Sequence, residues 1–176
     1  MRPDQIYDGF QDHARFCRES LSVQNKQGKL VPMVLGPAQE RLAGIVARCR
    51  ERGKPIRIVV PKARQVWVSV GVAAHYFQGT PFVSGQHALV LANDETTALN
   101  LFSHYQRFQD NYTPFAGAIK LPVVARNTLT EIEWANESWI HCHTTRTLTI
   151  GRSFTLRRVH FSEAAYYADL KLTMAA

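Results

Sequence analysis

The sequence predicts an α/β fold with a largely parallel sheet. Short apolar runs typical of strands buried on both faces, such as 56–60 and 87–93, alternate with amphipathic helical segments. The clearest helical segment begins near Pro37, carries apolar residues at i, i+3, i+4 and i+7, and ends at Gly53. Strands that alternate with helices imply parallel pairing through crossover connections. In such sheets, ligands bind beyond the carboxyl ends of the strands.

The other segments extend this alternation. The first 30 residues predict a helical arm, and a loop at 61–67 leads into a helix over residues 68–77. Asp94 is predicted to cap the following helix, and residues 109–135 to be loops with short strands. Three strands, "SWIHCHT", "TLTIG" and "LRRVHF", then precede a closing helix, "EAAYYADLKL", whose Tyr166 and Tyr167 are expected to pack against the sheet.

Length and charge narrow the classes of protein to consider. A chain of 176 residues suits one domain with a sizeable core. The formal charge of +7 suggests a polyanionic partner, and nucleic acid is the natural candidate. Positive charge is densest in residues 48–57, "RCRERGKPIR". This stretch is either a solvated helix end that complements the helix dipole or a nucleic-acid contact.

The sequence disfavours a membrane span, a disulfide framework, a nucleophilic catalytic site and a metal site. No apolar run is long enough to span a membrane, and three widely spaced cysteines indicate reduced thiols in a cytoplasm. No Ser/His/Asp or Cys/His nucleophile pattern stands out. In the strand "HCH", His141 and His143 share a face while Cys142 points away, so these three residues form no compact ligand set. A structural role is expected for them.

The turn from residue 61 to residue 69 is the main candidate for a functional site. Against the phosphate-loop pattern G-x-x-x-x-G-K-[ST], residues 62–69 read K-A-R-Q-V-W-V-S, and only Ser69 matches. Phosphate binding requires backbone N–H groups at a helix N-terminus, a cation and a hydroxyl. Ser69 offers the hydroxyl, and Lys62 or Arg64 offers the cation. The alternative is an ordinary strand-to-helix turn.

Residues 61–70, "PKARQVWVSV", resemble the variant phosphate loop of bacteriophage large terminase subunits, in which K-A-R-Q-x-G-x-S-T is frequent. Three further segments resemble motifs of this family in the same order. "VPMVLGPAQERL" is similar to the adenine-recognition segment, and "WANESWIHCHTTRTLTIGRSFT" to the W-x-N-G-S-x-I and G-R-G-x-T region. "RRVHFSEAAYY" is similar to the second ATPase motif. The resemblance covers about residues 30–173.

The resemblance implies a P-loop NTPase fold of the RecA-like (ASCE) type, a three-layer sandwich with a mainly parallel sheet preceded by a helical N-terminal arm. Residues 1–30 would form the arm, and residues 31–176 an ATPase domain that ends shortly after the second motif. The implied activity is ATP hydrolysis that drives double-stranded DNA into capsids. The implied partners are DNA, a small terminase subunit, the capsid portal and further copies of the chain, in the bacterial host cytoplasm.

The resemblance also implies roles for individual residues toward ATP and Mg²⁺. Gln39 would read adenine, Ser69 and Ser162 would hold Mg²⁺, and Glu163 would be the general base. Arg152 would be an arginine finger acting on a neighbouring subunit. The nucleotide-binding loop would comprise Lys62, Ala63, Arg64, Gln65, Val66, Trp67, Val68, Ser69 and Val70, with Lys62 and Arg64 offsetting charge on the phosphates. Alternatively, Gln39 is a polar residue of a first helical turn, Ser162 and Glu163 cap a helix, and Arg152 is a solvated turn residue.

Three family glycines are replaced here, by Trp67, Glu137 and Ser153. Left-handed backbone geometry costs a residue with a Cβ on the order of 1–2 kcal/mol. The replacement at Trp67 predicts nucleotide binding that is weak or absent unless the loop has rearranged. Two other functions stay open. One is a catalytically impaired remnant that acts as an assembly or DNA-binding module. The other is a helicase-like ATPase, which the "KARQ" and "HFSEAA" segments disfavour.

Overall fold

The computed structural model describes residues 3–61, 67–145 and 155–167. In these ranges helices lie against a mixed five-stranded sheet, an α/β arrangement compatible with a three-layer sandwich. In chain order the elements are α1 (Pro3–Gln11), α2 (His13–Ser20), β1 (Ser22–Gln24), β2 (Leu30–Pro32), α3 (Pro37–Glu51), α4 (Val68–Gly79), β3 (His87–Ala92), α5 (Glu95–Asp110), β4 (Val124–Asn127), β5 (Glu131–Trp134), β6 (Trp139–Thr144), β7 (Arg158–Phe161) and a 3-10 turn (Ala164–Tyr166).

The strand order of the sheet is β4-β5-β6-β3-β7. β3 pairs in parallel with β6 on one side and with β7 on the other. β4, β5 and β6 are antiparallel, because a short turn at 135–138 joins β5 directly to β6 where a parallel pair would need a longer crossover. The predicted parallel pairing is therefore confirmed for the three strands β6, β3 and β7. A separate antiparallel pair is formed by β1 and β2.

The helix boundaries follow from capping residues. α3 begins at Pro37, and Gly53 just beyond its end adopts φ 61° and donates its N–H to the Arg50 carbonyl oxygen at 2.9 Å. Asp94 caps α5, because its Oδ1 accepts a 2.8 Å hydrogen bond from the Thr97 N–H. These boundaries confirm the predicted ends of α3 and the predicted cap of α5.

The hydrophobic core lies between one face of the sheet and helices α4 and α5. Alternate residues of the strands point into it, as the period of two requires, and the apolar stripes of the helices complete it. Its main members are Ala88, Val90, Ile132, Trp134, Ile140 and Cys142 from the sheet and Ala73, Phe77, Phe102, Tyr105 and Phe108 from the helices. This packing fixes α4 and α5 on one face of the sheet.

The N-terminal helices belong to the same core. Phe10, Phe16 and Cys17 are buried, and the Phe10 and Phe16 rings meet edge to face with centroids 5.1 Å apart. The Gln78 side chain on α4 donates a 2.5 Å hydrogen bond to the Phe10 carbonyl oxygen. Helices α1 and α2 therefore pack directly on the sheet domain. In the described residues, every helix is too short or too polar to cross a membrane.

The predicted strand at residues 56–60 does not form. These residues have no regular secondary structure, and Val59 is 92% exposed. A run of β-branched residues has strand propensity, but a strand also needs a partner that completes its hydrogen-bonded ladder. Within the described ranges, β7 at the edge of the sheet pairs with β3 alone, and residues 56–60 do not extend the sheet beside it. The composition of this run therefore predicted a strand, but the run has no partner strand. The strand prediction for "TLTIG" lies outside the described residues, as does the second half of the closing helix, residues 168–172. The first half is not α-helical, because it forms only the 3-10 turn Ala164–Tyr166 and Tyr167 is extended.

Candidate nucleotide site

The candidate site lies at the carboxyl ends of β3 and β7. These strands are parallel neighbours with Leu91 paired to Phe161, so the residues that follow them leave the sheet at one edge. Asp94 comes shortly after β3, and Ser162 directly after β7. The Ser162 N–H donates a 2.9 Å hydrogen bond to the Leu91 carbonyl oxygen. The start of the turn after β7 is thereby held against β3.

The Tyr167 side chain closes this turn. Its hydroxyl lies 2.7 Å from the Leu91 carbonyl oxygen and 2.9 Å from that of Ser162, and both oxygens accept from it. Burial raises the pKa of the Tyr167 phenol well above its usual value. The prediction that Tyr167 packs against the sheet is confirmed, whereas Tyr166 is 71% exposed. Sequence reasoning missed the hydrogen bonds of Tyr167, because a tyrosine in an apolar run carries no signal that names its hydroxyl's partner.

Glu163 follows in left-handed geometry, with φ 57° and ψ 40°. Ser162 is buried, whereas Glu163 is exposed. Glu163 occupies the N-cap position of the 3-10 turn without a capping hydrogen bond from its side chain, and its carbonyl oxygen accepts from the Tyr166 N–H at 2.9 Å. The carboxylate is thus presented to solvent at the carboxyl edge of the sheet.

Trp67 immediately precedes α4 and also has left-handed backbone, with φ 55° and ψ 17°. Its side chain is 57% exposed, so the indole is directed largely to solvent instead of the core. The Trp67 carbonyl oxygen accepts a 3.2 Å hydrogen bond from the Gly71 N–H, which closes the first turn of α4. The backbone at this position therefore follows a path for which glycine is the least strained residue.

Gln39 joins the start of α3 to the start of α4. Its Oε1 accepts a 2.8 Å hydrogen bond from the Gly36 N–H, and its Nε2 donates a 2.9 Å hydrogen bond to the Trp67 carbonyl oxygen. A Cβ added at Gly71 would lie 3.0 Å from Gln39 Cγ, so glycine is what lets α4 approach this side chain. Both ends of the Gln39 amide are engaged within the protein, and its side chain is buried.

Ser69 lies in the first turn of α4 and is half-buried between the buried side chains of Val68 and Val70. The first backbone N–H groups of a helix have no partner within the helix, point out of its N-terminal end and favour an anion there. Lys62, Ala63, Arg64, Gln65, Val66 and Arg152 lie outside the described residues.

A cavity of about 390 Å³ lies beside these elements, between α3, α4 and β7. Gln39 and Gly71 line it, together with Arg50 from α3 and Arg157 and Arg158 near the start of β7. Ser162 and Glu163 are not among the described residues that line it. The cavity therefore extends from Gln39 toward the beginning of β7, and not toward the strand's carboxyl end.

One wall of the cavity is an arginine–histidine pair. Arg50 Nη2 lies 3.0 Å from His75 Nε2, which accepts from it, and the His13 ring meets the His75 ring edge on at 4.8 Å. Burial lowers the pKa of His75 to about 2, and the charges of Arg50 and Arg158 act in the same direction. Burial also lowers the pKa of Arg158. The imidazole of His75 is therefore neutral, and the cavity wall carries net positive charge.

The structure thus brings Gln39 together with Trp67, and Ser162 and Glu163 together with the end of β3. No protein-family model matches this chain, and no curated protein matches it either.

Proposed function

We propose that residues 31–176 form the ATPase region of a phage large terminase subunit, in which ATP hydrolysis is coupled to packaging of double-stranded DNA into capsids. The observation that supports this most is the left-handed backbone at Trp67 and Glu137, with φ 55° and 65°. Both residues stand where the motifs that the sequence resembles carry glycine. In the described ranges four non-glycine residues have positive φ, the other two being Ala116 and Glu163.

The energetic cost of left-handed backbone makes its occurrence at both Trp67 and Glu137 informative. Left-handed geometry costs a residue with a Cβ about 1–2 kcal/mol, and tryptophan and glutamate have no side-chain device that relieves this cost. Local preference therefore does not account for Trp67 and Glu137 at these positions. A backbone path like that of the glycine-containing motifs would account for both, and at Glu137 this path is also that of the β5–β6 hairpin turn, in which the Glu137 N–H donates a 3.0 Å hydrogen bond to the Trp134 carbonyl oxygen.

The phosphate end of the proposed site is compatible with an anionic ligand. The N-terminus of α4 and the Ser69 hydroxyl lie together, which is the combination that favours phosphate and its cation. The base end is less compatible, because the Gln39 amide is already hydrogen bonded to Gly36 and Trp67. These two bonds fix the orientation of the amide and leave one N–H and one oxygen lone pair for adenine, and this restriction together with Trp67 supports weak nucleotide binding.

The proposed roles are those that the resemblance to terminase motifs implies. Bound MgATP would supply the γ-phosphoryl group and the cation that neutralises its charge. Ser69 and Ser162 would offer hydroxyls to the cation, and Glu163 would orient and deprotonate water. Lys62, Arg64 and the Arg152 of a neighbouring subunit would offset negative charge on the phosphates.

ATPase assays with and without double-stranded DNA test this proposal. Trp67→Gly is expected to show DNA-stimulated turnover above that of the parent chain, and Glu163→Gln in the same background is expected to abolish it. Glu137→Gly is the matched control, because it makes the same backbone change in the β5–β6 turn. Absence of turnover in both the parent and Trp67→Gly would contradict the proposal.

A second candidate function is a non-catalytic DNA-binding module. The observation that favours it is the exposure of the basic stretch at the end of α3, where Arg48, Arg52, Lys54 and Arg57 are all exposed. Binding through this stretch should weaken with salt, with a slope near −0.9 per phosphate contact. Fluorescence anisotropy would compare Arg52→Gln/Lys54→Gln with a control, Lys26→Gln/Lys29→Gln, on the β1–β2 turn. Equal affinity of the two variants would exclude this surface as the contact.

A further inference from the structure

A cluster of ionisable side chains lies on the sheet face opposite the hydrophobic core. Glu131 and Glu133 on β5 and His141 and His143 on β6 alternate with buried residues, so all four share this face. Glu131 is paired directly with His141 in the antiparallel ladder. His141 Nε2 lies 3.1 Å from Glu133 Oε1, and His143 Nε2 lies 3.7 Å from Glu131 Oε1.

Three of these side chains are arranged as a metal-ligand set. One ligand atom from each of Glu131, His141 and His143 lies within 4.8 Å of the other two. In a tetrahedral zinc site, ligand atoms at 2.0–2.1 Å from the metal are about 3.3 Å apart. The set therefore needs a contraction of about 1.5 Å at most, which small rotations of the three side chains can supply.

The histidine rings are held in place before any metal binds. The His141 ring stacks on Trp139 with centroids 4.0 Å apart and planes at 22°, and the His143 ring meets His141 edge on. The side chains of His141, His143 and Glu131 are 13%, 23% and 17% exposed. The cluster is thus sheltered enough to strengthen coordination and open enough for an ion to enter.

The guanidinium of Arg126 already pairs with the two carboxylates of this cluster. Arg126 Nη2 lies 2.9 Å from Glu131 Oε2, and Arg126 Nη1 lies 3.6 Å from Glu133 Oε1. The Arg126 side chain is 56% exposed, so it can swing into solvent without losing core contacts. A metal ion bound by Glu131 would compete with this guanidinium for the carboxylate.

We infer that Glu131, His141 and His143 form a binding site for a divalent transition-metal ion of the zinc type, with Arg126 as an internal competitor. Two imidazoles and one carboxylate suit Zn²⁺ and Co²⁺ better than Mg²⁺, which prefers oxygen ligands. Coordination through His141 Nε2 replaces the hydrogen bond of this atom to Glu133. It leaves the ring neutral, with its proton on Nδ1. The site is separate from the one proposed for ATP.

Titration of the untagged 176-residue chain with Co²⁺ and Zn²⁺ tests this inference. The d–d absorption of Co²⁺ is expected to saturate at one equivalent with the intensity typical of tetrahedral coordination, and Zn²⁺ is expected to displace it. His143→Asn and Glu131→Gln should each weaken binding at least about tenfold. His104→Asn on α5 is the matched control, because it removes a histidine outside the cluster and should leave affinity unchanged.

Substitution of the competing Arg126 gives a result that misfolding cannot produce. Arg126→Gln removes the guanidinium and should tighten Zn²⁺ binding, measured by isothermal titration calorimetry, whereas a misfolded variant would bind less. Circular dichroism and thermal melting of each variant establish that it is folded. No saturable binding by the parent, equal loss in His104→Asn, or unchanged affinity in folded His143→Asn and Glu131→Gln would overturn the site. Unchanged affinity in Arg126→Gln would overturn the role of Arg126.

Discussion

Gln39 Nε2 donates a 2.9 Å hydrogen bond to the carbonyl oxygen of Trp67, across 28 positions of sequence. This bond ties the first turn of α3 to the left-handed residue that begins α4. The same amide accepts from the Gly36 N–H. One buried side chain therefore determines how the segment before α3 meets the segment before α4, which are the two segments proposed to hold a nucleotide.

Gln39→Met tests how much this amide contributes to stability. The substitution keeps the length of the side chain but leaves the Gly36 N–H and the Trp67 carbonyl without their partner. We expect the free energy of unfolding to fall by about 2 kcal/mol in urea denaturation, since unsatisfied polar groups cost roughly 1–3 kcal/mol each. The control is Gln27→Met on the exposed β1–β2 turn, for which we expect a change of no more than about 0.5 kcal/mol. Equal effects of both variants would mean that the amide is not a structural link.

Trp67→Gly should stabilise the chain because it relieves a left-handed residue. The relief of about 1–2 kcal/mol exceeds the extra entropy of glycine in the unfolded state, about 0.5–1 kcal/mol, so we expect a net gain near 1 kcal/mol. Trp67→Ala is the matched control, since it removes the indole and keeps the Cβ. A gain in Trp67→Ala as large as in Trp67→Gly would show that the exposed indole, and not the backbone, was the source of strain.

Tyr167→Phe tests the hydrogen bonds that hold the turn after β7. Loss of the hydroxyl leaves the Leu91 and Ser162 carbonyl oxygens without this donor, and we expect about 1 kcal/mol of destabilisation. Tyr166→Phe removes the same atom from an adjacent exposed residue and should be neutral. Thermal melting of the two variants side by side makes the comparison, and equal melting temperatures would contradict a role for Tyr167.

The depressed pKa of His75 predicts that the folded chain loses stability at acidic pH. Its pKa is depressed from 6.5 to about 2 in the folded chain, so the unfolded chain binds an additional proton as the pH falls below 6.5. Stability contributed by neutral His75 is therefore present above this pH and decreases below it, by about 1.4 kcal/mol at roughly pH 5.5. His75→Gln retains an acceptor for Arg50 and should reduce the difference in unfolding free energy between pH 7.5 and 5.5 by about this amount. An unchanged difference would mean that His75 is not buried as described.

Local signals in the sequence predicted the parts of the fold that local physics decides. Pro37, Gly53 and Asp94 marked helix ends correctly because capping depends on a few neighbouring atoms. The β-branched run at 56–60 was mistaken for a strand, because strand formation depends on a distant partner. The Glu131–His141–His143 cluster escaped notice because its carboxylate comes from the neighbouring strand. Only the β5–β6 register brings this residue opposite the histidines.

At the candidate site, the sequence likewise predicted local backbone geometry but not contacts between distant segments. Left-handed backbone at Trp67 was expected from the glycine of the loop motif that the sequence resembles, and the structure has it there. The same geometry at Glu137 was not predicted. The engagement of Gln39 with Trp67 could not be read from the sequence, since an amide in a first helical turn has many available partners. Its position between α3 and α4 depends on how the two helices pack, which is a property of the whole core.

The most direct test of the proposed ATPase origin is the affinity for MgATP, measured by isothermal titration calorimetry on the parent, Trp67→Gly and Glu137→Gly. We predict weak or undetectable binding by the parent and by Glu137→Gly, and binding at least about tenfold tighter by Trp67→Gly, an increment of about 1.4 kcal/mol. Identical isotherms for all three chains would contradict a nucleotide site at the start of α4.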